Sequence, residues 1–307
     1  MLTKAMVVLA MTLVVPIHAA ERRGAVAFYY GRDLTPAQLE FFGRFEVLVT
    51  HDPLPAEQVL ALHARGTKLA LYEWTVAFYR TLAGPWQKQS LRARGTLLNA
   101  KPLRGGSGSS EADAFYYDPA SRDHAAARAR ALIVKLRAAG YDGVFFDTTT
   151  EQSVHPVALA EYNRRHPDTP YDEAVARFLK RLRHELGSDG VIVTNQGFRA
   201  AEHYLPYADY DVTESMITWP REGRYAFRAF NDPADPWNSI EVIMRELIVP
   251  AAKRYPRVRF VHLNYIDHPD PGHVREIVDI ARRYGHEAFV ALPDVTRIAV
   301  HDVYFSR

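Results

Sequence analysis

Short runs of apolar residues alternate with longer segments of helix-forming residues along most of the chain. In "YDGVFFDTTT" (residues 141–150), Val144, Phe145 and Phe146 lead directly into Asp147. Apolarity that is continuous, rather than alternating with polar residues, indicates strands buried on both faces, as in a parallel sheet covered by helices. We predict eight such strands, at residues 25–31, 46–52 and 67–74, within 141–150 up to Asp147, and at 190–195, 210–214, 257–265 and 287–293.

Helical segments separate most of these strands. The spacing of apolar residues predicts a helix over residues 119–139, and Gly140 follows it at a position that favours a C-cap glycine. Further helices are expected at residues 36–45, 55–65, 174–186, 199–205, 239–255 and 272–284, and long loops at 75–117, 148–172 and 215–238. Eight β–α units predict an α/β fold, a (β/α)8 TIM barrel that forms a single domain over residues 21–307.

A doubly wound open sheet is the alternative architecture. Its dinucleotide-binding form requires a glycine-rich loop after the first strand. The corresponding stretch here, "FYYGRDLTP" (residues 28–36), contains a single glycine. The barrel is therefore the favoured prediction.

The N-terminal segment has the pattern of a secretory signal peptide. Lys4 precedes an apolar run over residues 5–17, and His18, Ala19 and Ala20 follow. A short positive region, an apolar core and small residues at the end are typical of a cleaved signal, and the run is too short for a membrane span. We expect residues 1–20 to be removed and the mature protein to be secreted or periplasmic, without a membrane span. An uncleaved anchor or a buried N-terminal helix is the alternative.

Charge and cysteine content narrow the function classes. The 307-residue chain has a formal net charge of +2 and no cysteine. Because the positive charge is not concentrated in a tail, nucleic acid is not an expected partner. Export brings no disulfides to a chain without cysteine, so the core alone must stabilise the fold, which a chain of this length can do.

The last residues of the predicted strands share polar and aromatic chemistry. In a barrel, the carboxyl ends of the strands form the active site. Carboxylates, amides and aromatic side chains dominate these positions, and thiols and serines are few. The candidates are Tyr30, Asp52, Tyr72, Glu73, Asp147, Asn195, Glu214, Tyr265 and Asp267.

This mixture suits the hydrolysis of glycosidic bonds. That reaction needs two carboxyl groups, one to protonate the leaving oxygen and one to attack the anomeric carbon or to activate water, and it requires no cofactor. Aromatic faces and amides bind sugar rings and hydroxyls. The first strand lacks the paired histidines of metal-dependent barrel hydrolases, and the chain has no G-x-S-x-G motif and no cysteine. A metal site and an acyl-enzyme mechanism are therefore disfavoured.

Three segments carry a resemblance to a known family. "YDPASRDHAAARARALIVKLRAAGYDGVFFDTTT" (117–150), "VIVTNQG" (191–197) and "VTES" (212–215) resemble the GH114-type glycoside hydrolases. That group includes endo-α-1,4-polygalactosaminidases and the hydrolase domain of the Pel polysaccharide proteins. The resemblance implies a (β/α)8 barrel that acts on secreted galactosamine-containing polymers. It also implies that Asp147 is the nucleophile, Glu214 the acid/base and Asn195 a substrate-contacting amide.

The sequence departs from the pattern of the family in two places. Members often carry a second acid shortly after the aspartate of the fourth strand, where Thr148, Thr149 and Thr150 stand here. The opening "FYYGRD" (residues 28–33) also lacks the tryptophan-rich start that is common in the family. Both departures concern the identity of the substrate more than the class of reaction.

Taken with the resemblance, the sequence predicts an exported, retaining glycoside hydrolase that cleaves an α-linked, galactosamine-type polysaccharide, with exopolysaccharide machinery as a candidate partner. A barrel that binds such a polymer without cutting it is the alternative; a lyase or a deacetylase is another. The aromatic loop from Trp219 to Trp237 is expected either to form a wall of the sugar cleft, with Trp219 nearest the site, or to pack on the barrel. A Gly/Ser tract at residues 104–110 is expected to be a mobile loop or a lid.

Overall fold

The computed structural model describes residues 23–79, 84–92, 95–104, 113–121, 123–147, 149–235, 239–299 and 301–306. The signal peptide predicted at residues 1–20 lies outside this part of the chain, as do Trp237 and residues 105–110 of the Gly/Ser tract. Within the described ranges, no helix combines the length and the apolarity needed to cross a membrane.

Eight parallel strands form a nearly closed barrel, as the apolar runs predicted. The strands of the chain are β1 (Gly24–Tyr29), β2 (Phe45–Thr50), β3 (Lys68–Trp74), β4 (Ala77–Tyr79), β5 (Ala114–Tyr116), β6 (Gly143–Asp147), β7 (Val191–Asn195), β8 (Tyr210–Glu214), β9 (Thr218–Arg221), β10 (Arg224–Phe227), β11 (Arg259–Tyr265) and β12 (Glu287–Ala291). The barrel order is β1-β2-β3-β6-β7-β8-β11-β12, and each hydrogen-bonded pair in it is parallel. Where the ring closes, the backbone N–H of Ala25 donates to the carboxylate of Glu287 at 2.9 Å.

Helices connect the strands of the barrel. They are α1 (Pro36–Phe42), α2 (Ala56–His63), α3 (Pro85–Arg92), α4 (His124–Ala139), α5 (Pro156–Arg165), α6 (Tyr171–Leu186), α7 (Ala201–Tyr204), α8 (Ile240–Ile243), α9 (Val249–Arg254) and α10 (Pro271–Arg283), with a π-helical turn, Met244–Ile248, between α8 and α9. Local signals set their ends: Thr35 and Gln38 form a capping box before α1, and Gly140 ends α4 with φ 70°. The fold is therefore a single-domain (β/α)8 TIM barrel.

Side chains on each strand alternate between the barrel interior and the surrounding helices. Phe28 of β1 and Phe145 of β6 meet edge to face across the interior, with ring centroids 5.4 Å apart, although their strands are not neighbours. Two residues further along, Tyr30 and Asp147 point the same way at the carboxyl ends of these strands. This alternation decides which candidate side chains enter the same space.

The three loops that the sequence predicted contain further secondary structure. The loop at 75–117 holds α3 and the antiparallel pair β4–β5, the loop at 148–172 holds α5, and the loop at 215–238 holds the antiparallel pair β9–β10. The four strands concerned are three or four residues long. Runs this short are difficult to recognise from periodicity, because strand preference depends strongly on the neighbours in the fold.

Candidate active site

The two candidate catalytic carboxylates are joined by one amide. Asn195, the last residue of β7, donates a hydrogen bond from Nδ2 to Oδ1 of Asp147 at 2.8 Å and another to Oε2 of Glu214 at 3.1 Å. Only a nitrogen can serve both oxygens, so the partners fix the orientation of the amide. Because both carboxylate oxygens contact the same nitrogen, they lie at most 5.9 Å apart, the sum of the two distances.

Each carboxylate also receives a hydrogen bond from a tyrosine. The hydroxyl of Tyr72, on β3, donates to Oδ2 of Asp147. The hydroxyl of Tyr265, on β11, donates to Oε1 of Glu214 at 2.7 Å. Five side chains from β3, β6, β7, β8 and β11 therefore form one hydrogen-bonded chain across the carboxyl end of the barrel.

Asn195 is buried with one end of its amide unpaired, and this is unfavourable for folding unless the residue has a role in the site. The residue is 5% exposed, and its Oδ1 has no hydrogen-bond partner among the described residues. A buried acceptor without a partner destabilises a fold by about 1–3 kcal/mol. The stabilising contacts of this side chain are thus the two that its nitrogen makes with Asp147 and Glu214.

Burial makes Glu214 a weaker acid than usual. Burial, and then the negative charge of Asp147, raise the pKa of Glu214 above its ordinary value, while hydrogen bonds from Tyr265 and Asn195 partly offset this rise. Such a carboxyl keeps its proton closer to neutral pH. Environments that differ between two neighbouring carboxyl groups are what a division into acid and nucleophile needs.

Tyr30 lies beside both carboxylates. Burial, followed by the charges of Asp147 and Glu214, raises the pKa of its hydroxyl well above the usual value, so the hydroxyl remains a donor. Its ring lies 5.6 Å from that of Tyr72 and 5.9 Å from that of His51. The structure thus brings Tyr30, Tyr72, Asn195 and Tyr265 together with the two carboxylates.

Glu73 lies apart from this group. Strand alternation turns it away from its neighbour Tyr72 and toward α4, where its carboxylate pairs with Lys135. Asp52 follows β2, and its half-exposed side chain lies 3.7 Å from Nδ1 of His51. Neither acid contacts Asp147 or Glu214 among the interactions of the described residues.

The β9–β10 hairpin forms a wall next to Glu214. Asp267 accepts a hydrogen bond from the backbone N–H of Tyr225 at 3.0 Å, and the ring of Tyr225 lies 5.2 Å from that of Tyr265. Trp219, on β9, is 46% exposed, and the guanidinium of Arg228 lies 4.5 Å from the centre of its ring. Asp267 therefore positions the hairpin, and Trp219 presents an aromatic surface at its edge.

Asp211 lies on the same strand as Glu214, but its contacts are structural rather than part of the site. It is fully buried on the opposite side of β8 and accepts hydrogen bonds from Thr194 Oγ1 at 2.7 Å and from the backbone N–H groups of Gly197 and Phe198 at 2.7 and 3.0 Å. Burial raises its pKa to about 7. These bonds hold the turn that follows Asn195.

The threonines after Asp147 also have structural contacts where the structure describes them. Thr149 is buried and donates to the backbone carbonyl of Phe146 at 3.1 Å, and Thr150 is buried at the start of a short 3-10 turn, Glu151–Ser153. Thr148 lies outside the described residues. At the positions where the family often carries a second acid, Thr149 and Thr150 therefore contribute to the structure of the loop.

No group of three or more histidine, cysteine, aspartate and glutamate side chains within the described ranges could hold a metal ion. His262 and His286 form a buried pair, with Nε2 of the first 3.0 Å from Nδ1 of the second. Burial lowers the pKa of both rings. The pair lies between strands and helices, on the face of β11 opposite Tyr265.

Sequence reasoning did not place Tyr79 at the site, and it reached Tyr225 only as part of the aromatic loop from Trp219 to Trp237, for which a cleft wall was one of two alternatives. Tyr79 lies on β4, with its ring 4.8 Å from that of Trp74, and burial and the charge of Asp147 raise the pKa of its hydroxyl. The pKa of Tyr225 is raised by burial and by Glu214. Tyr79 belongs to a short antiparallel strand, so only a prediction of that strand could have pointed to it.

Comparison with solved structures identifies the fold independently. The glycoside hydrolase domain of PelA from Pseudomonas aeruginosa matches with a TM-score of 0.64 and 19% identity, over 89% of this chain and 96% of that one. An α-galactosidase from Thermus thermophilus matches with a TM-score of 0.52 and 15% identity, over 87% and 57% of the two chains. The GH31 α-xylosidase from Xanthomonas citri matches with a TM-score of 0.53 and 14% identity, over 92% and 34%.

These likenesses are at the level of the fold. No protein-family model matches the sequence, and no curated protein matches it significantly. The coverage of both chains is nearly complete only for the PelA domain among the three structures described. The chain therefore has the (β/α)8 fold of the PelA glycoside hydrolase domain, in agreement with the resemblance of its three segments to the GH114-type group.

Proposed function

We propose that this protein is an exported glycoside hydrolase that cleaves an α-linked, galactosamine-type polysaccharide with retention of configuration. The observation that carries the proposal is the bridge from Asn195 to both Asp147 and Glu214. Two carboxyl groups held together at the carboxyl end of a barrel, with aromatic side chains around them, are what glycosidic bond hydrolysis requires. The shared fold with the PelA glycoside hydrolase domain supports the same class.

The separation of the carboxylates favours retention. Retaining enzymes hold the two groups about 5–5.5 Å apart, whereas inverting enzymes leave about 6.5–9.5 Å for a water molecule. The oxygens of Asp147 and Glu214 that share the Asn195 nitrogen lie at most 5.9 Å apart, since they are 2.8 and 3.1 Å from it. Direct attack by a carboxylate fits this space better than attack by an interposed water.

The reaction then proceeds in two steps. Asp147 attacks the anomeric carbon and forms a glycosyl ester, while Glu214 gives its proton to the departing glycosidic oxygen. Glu214 next takes a proton from water, whose oxygen attacks the anomeric carbon and releases Asp147. The raised pKa of Glu214 suits the first step, since this carboxyl must start protonated.

The substrate class is supported by two likenesses. The segments around Asp147, Asn195 and Glu214 resemble those of enzymes that act on galactosamine-containing polymers. The α-galactosidase that shares the fold was solved with an α-galactopyranoside. Export from the cell, and work alongside exopolysaccharide machinery, follow from the predicted signal peptide and from the same resemblance.

Product analysis tests this proposal. The purified protein is incubated with α-linked polymers of galactosamine and of N-acetylgalactosamine, and the first-formed reducing ends are observed by NMR. We expect shorter oligosaccharides whose new reducing ends are α. Initial release of β anomers would contradict retention, and binding without cleavage would favour the non-catalytic, polysaccharide-binding barrel.

Matched variants assign the roles. Asp147→Asn and Glu214→Gln should each lose at least about 1,000-fold in kcat without a change in the thermal unfolding midpoint. Glu202→Gln, at an exposed glutamate of α7, is the control and should keep full activity. Full turnover by either of the first two variants would remove that residue from the mechanism.

A further inference from the structure

A cavity of about 700 Å³ opens beside Tyr72, on the side of β2 and β3. Its size lies within the range of ligand sites in proteins, about 300–1,000 Å³. Tyr72, Trp74 and Tyr79 line one end, and Glu73, Lys135 and Val134 line the other. The mechanism described above uses only the edge of this space.

The inner end of the cavity lies one side chain away from Asp147. Tyr72, whose hydroxyl donates to Asp147, belongs to its wall, and Trp74 lies opposite Asp147 in the pairing of β3 with β6. The rings of Trp74 and Tyr79 stand at 88° to each other, 4.8 Å apart. Aromatic faces meeting at an angle form a corner in which a sugar ring can pack.

The outer end of the cavity reaches the surface of α4. Val134 lines it and is 68% exposed, and Lys135 next to it is half exposed. The space therefore leads from Tyr72, which contacts Asp147, past Trp74 and Tyr79 to the exposed surface of α4. A chain of linked sugars could follow this path without turning back over the cleft.

The charged side chains that line the cavity carry no excess of negative charge, because the three cations Arg128, Arg130 and Lys135 stand against the two acids Asp52 and Glu73. Lys135 pairs with Glu73, and the buried Arg128 donates to the backbone carbonyls of Trp74 and Thr75. Asp52 and the exposed Arg130 add one charge of each sign. This wall therefore offers no net electrostatic attraction to the ammonium groups of a free-amine polymer. It is better suited to the hydroxyl and amide groups of an uncharged sugar chain.

We propose that this cavity, the α4 cavity, holds the sugar units on one side of the scissile bond, and that these units are uncharged, as in an N-acetylated stretch of polymer. The proposal rests on the proposed function and adds to it the charge state and the path of the substrate chain. It assigns a binding role to Trp74, Tyr79 and Val134.

Binding to an inactive protein tests the path. Calorimetry of the double variant Asp147→Asn/Glu214→Gln is performed with α-linked galactosamine oligosaccharides of increasing length, in N-acetylated and free-amine forms. We expect the affinity for the N-acetylated series to rise with length until the cavity is filled. With Val134→Arg or Val134→Glu added, this rise should stop at a shorter length, and the long oligomers should bind about tenfold more weakly.

The matched control is Val157→Arg, at an exposed valine of α5 that does not line the cavity. It should leave the length dependence unchanged. Equal binding of the long oligomers by both Val134 variants and the control would overturn the path. Tighter binding of the free-amine series, improved by Val134→Glu and weakened by Val134→Arg, would overturn the uncharged substrate. Because no turnover is measured, absence of hydrolysis by the unmodified protein would contradict the proposed function without deciding this test.

Discussion

The side-chain nitrogen of Asn195 lies 2.8 Å from a carboxylate oxygen of Asp147, and the same nitrogen reaches Glu214 at 3.1 Å. One amide therefore sets the distance between the proposed nucleophile and the proposed acid/base. Its other end makes no hydrogen bond among the described residues. We infer that Asn195 acts as a positioning residue, in addition to the substrate contact that the family resemblance implies.

Replacement of Asn195 should reduce the rate of the chemical step more than the affinity for substrate. In Asn195→Ala, the two carboxylates lose their common donor, and a displacement of about 1 Å lowers kcat by about 100-fold. In Asn195→Asp, a third carboxylate between them should lower kcat further. Steady-state kinetics with a defined oligosaccharide measures the effect. A rise in KM with an unchanged kcat would contradict the positioning role of Asn195 and leave it only a contact with substrate.

Tyr265 should control the alkaline limb of the activity profile. Glu214 must be protonated for the first step, so kcat/KM falls as pH rises through its pKa. Tyr265 donates to the ionised carboxyl and lowers that pKa, so Tyr265→Phe should raise it and move the limb to higher pH. Tyr225→Phe is the control, since its ring packs on Tyr265 without a hydrogen bond to Glu214. A limb that moves to lower pH, or that moves equally in both variants, would contradict this role.

Trp219 should contribute to polymer binding. The indole is exposed at the edge of the β9–β10 hairpin, and a sugar ring that packs on it gains about as much as an aromatic pair, 0.5–1.5 kcal/mol. Trp219→Ala should raise KM for the polymer about 2- to 10-fold with little change in kcat. Phe230→Ala, at a residue 44% exposed further along the same loop, is the comparison. Identical KM values for the two variants would indicate that Trp219 only packs against Arg228.

Asp211 should be needed for folding. Asp211→Ala leaves the hydroxyl of Thr194 and the N–H groups of Gly197 and Phe198 without their acceptor, which should lower the free energy of unfolding by at least about 2 kcal/mol. Urea denaturation measures the loss, and Asp168→Ala, at an exposed turn, should change it by less than about 0.5 kcal/mol.

The pH dependence of this loss has a definite sign. Burial raises the pKa of Asp211 to about 7, so the folded state holds a proton that the unfolded state releases above about pH 4. The stability of the unmodified protein relative to Asp211→Ala should therefore decrease as pH rises from about 4 toward 7. A difference that grows over this range would show that Asp211 is ionised in the folded protein.

The barrel could be predicted because its strands are buried on both faces. Runs such as the one ending at Asp147 are apolar at every position between the entry glycine and the acid, and this leaves a signal in the sequence. The antiparallel pairs β4–β5 and β9–β10 leave no such signal, because their strands are short and because β4 pairs with a strand distant in the chain. Tyr79 was missed for this reason, and Tyr225 was predicted only as one member of the aromatic loop from Trp219 to Trp237.

Sequence alone determined which residue types stand at the carboxyl ends of the strands, because a parallel barrel brings all of these ends to one face. Only the tertiary structure decided which of them meet. Tyr72 and Glu73 are consecutive, yet one donates to Asp147 and the other pairs with Lys135 of α4, 62 residues away. Strand alternation sends them to opposite sides, and the register of β3 against β6 sets what each side chain finds there.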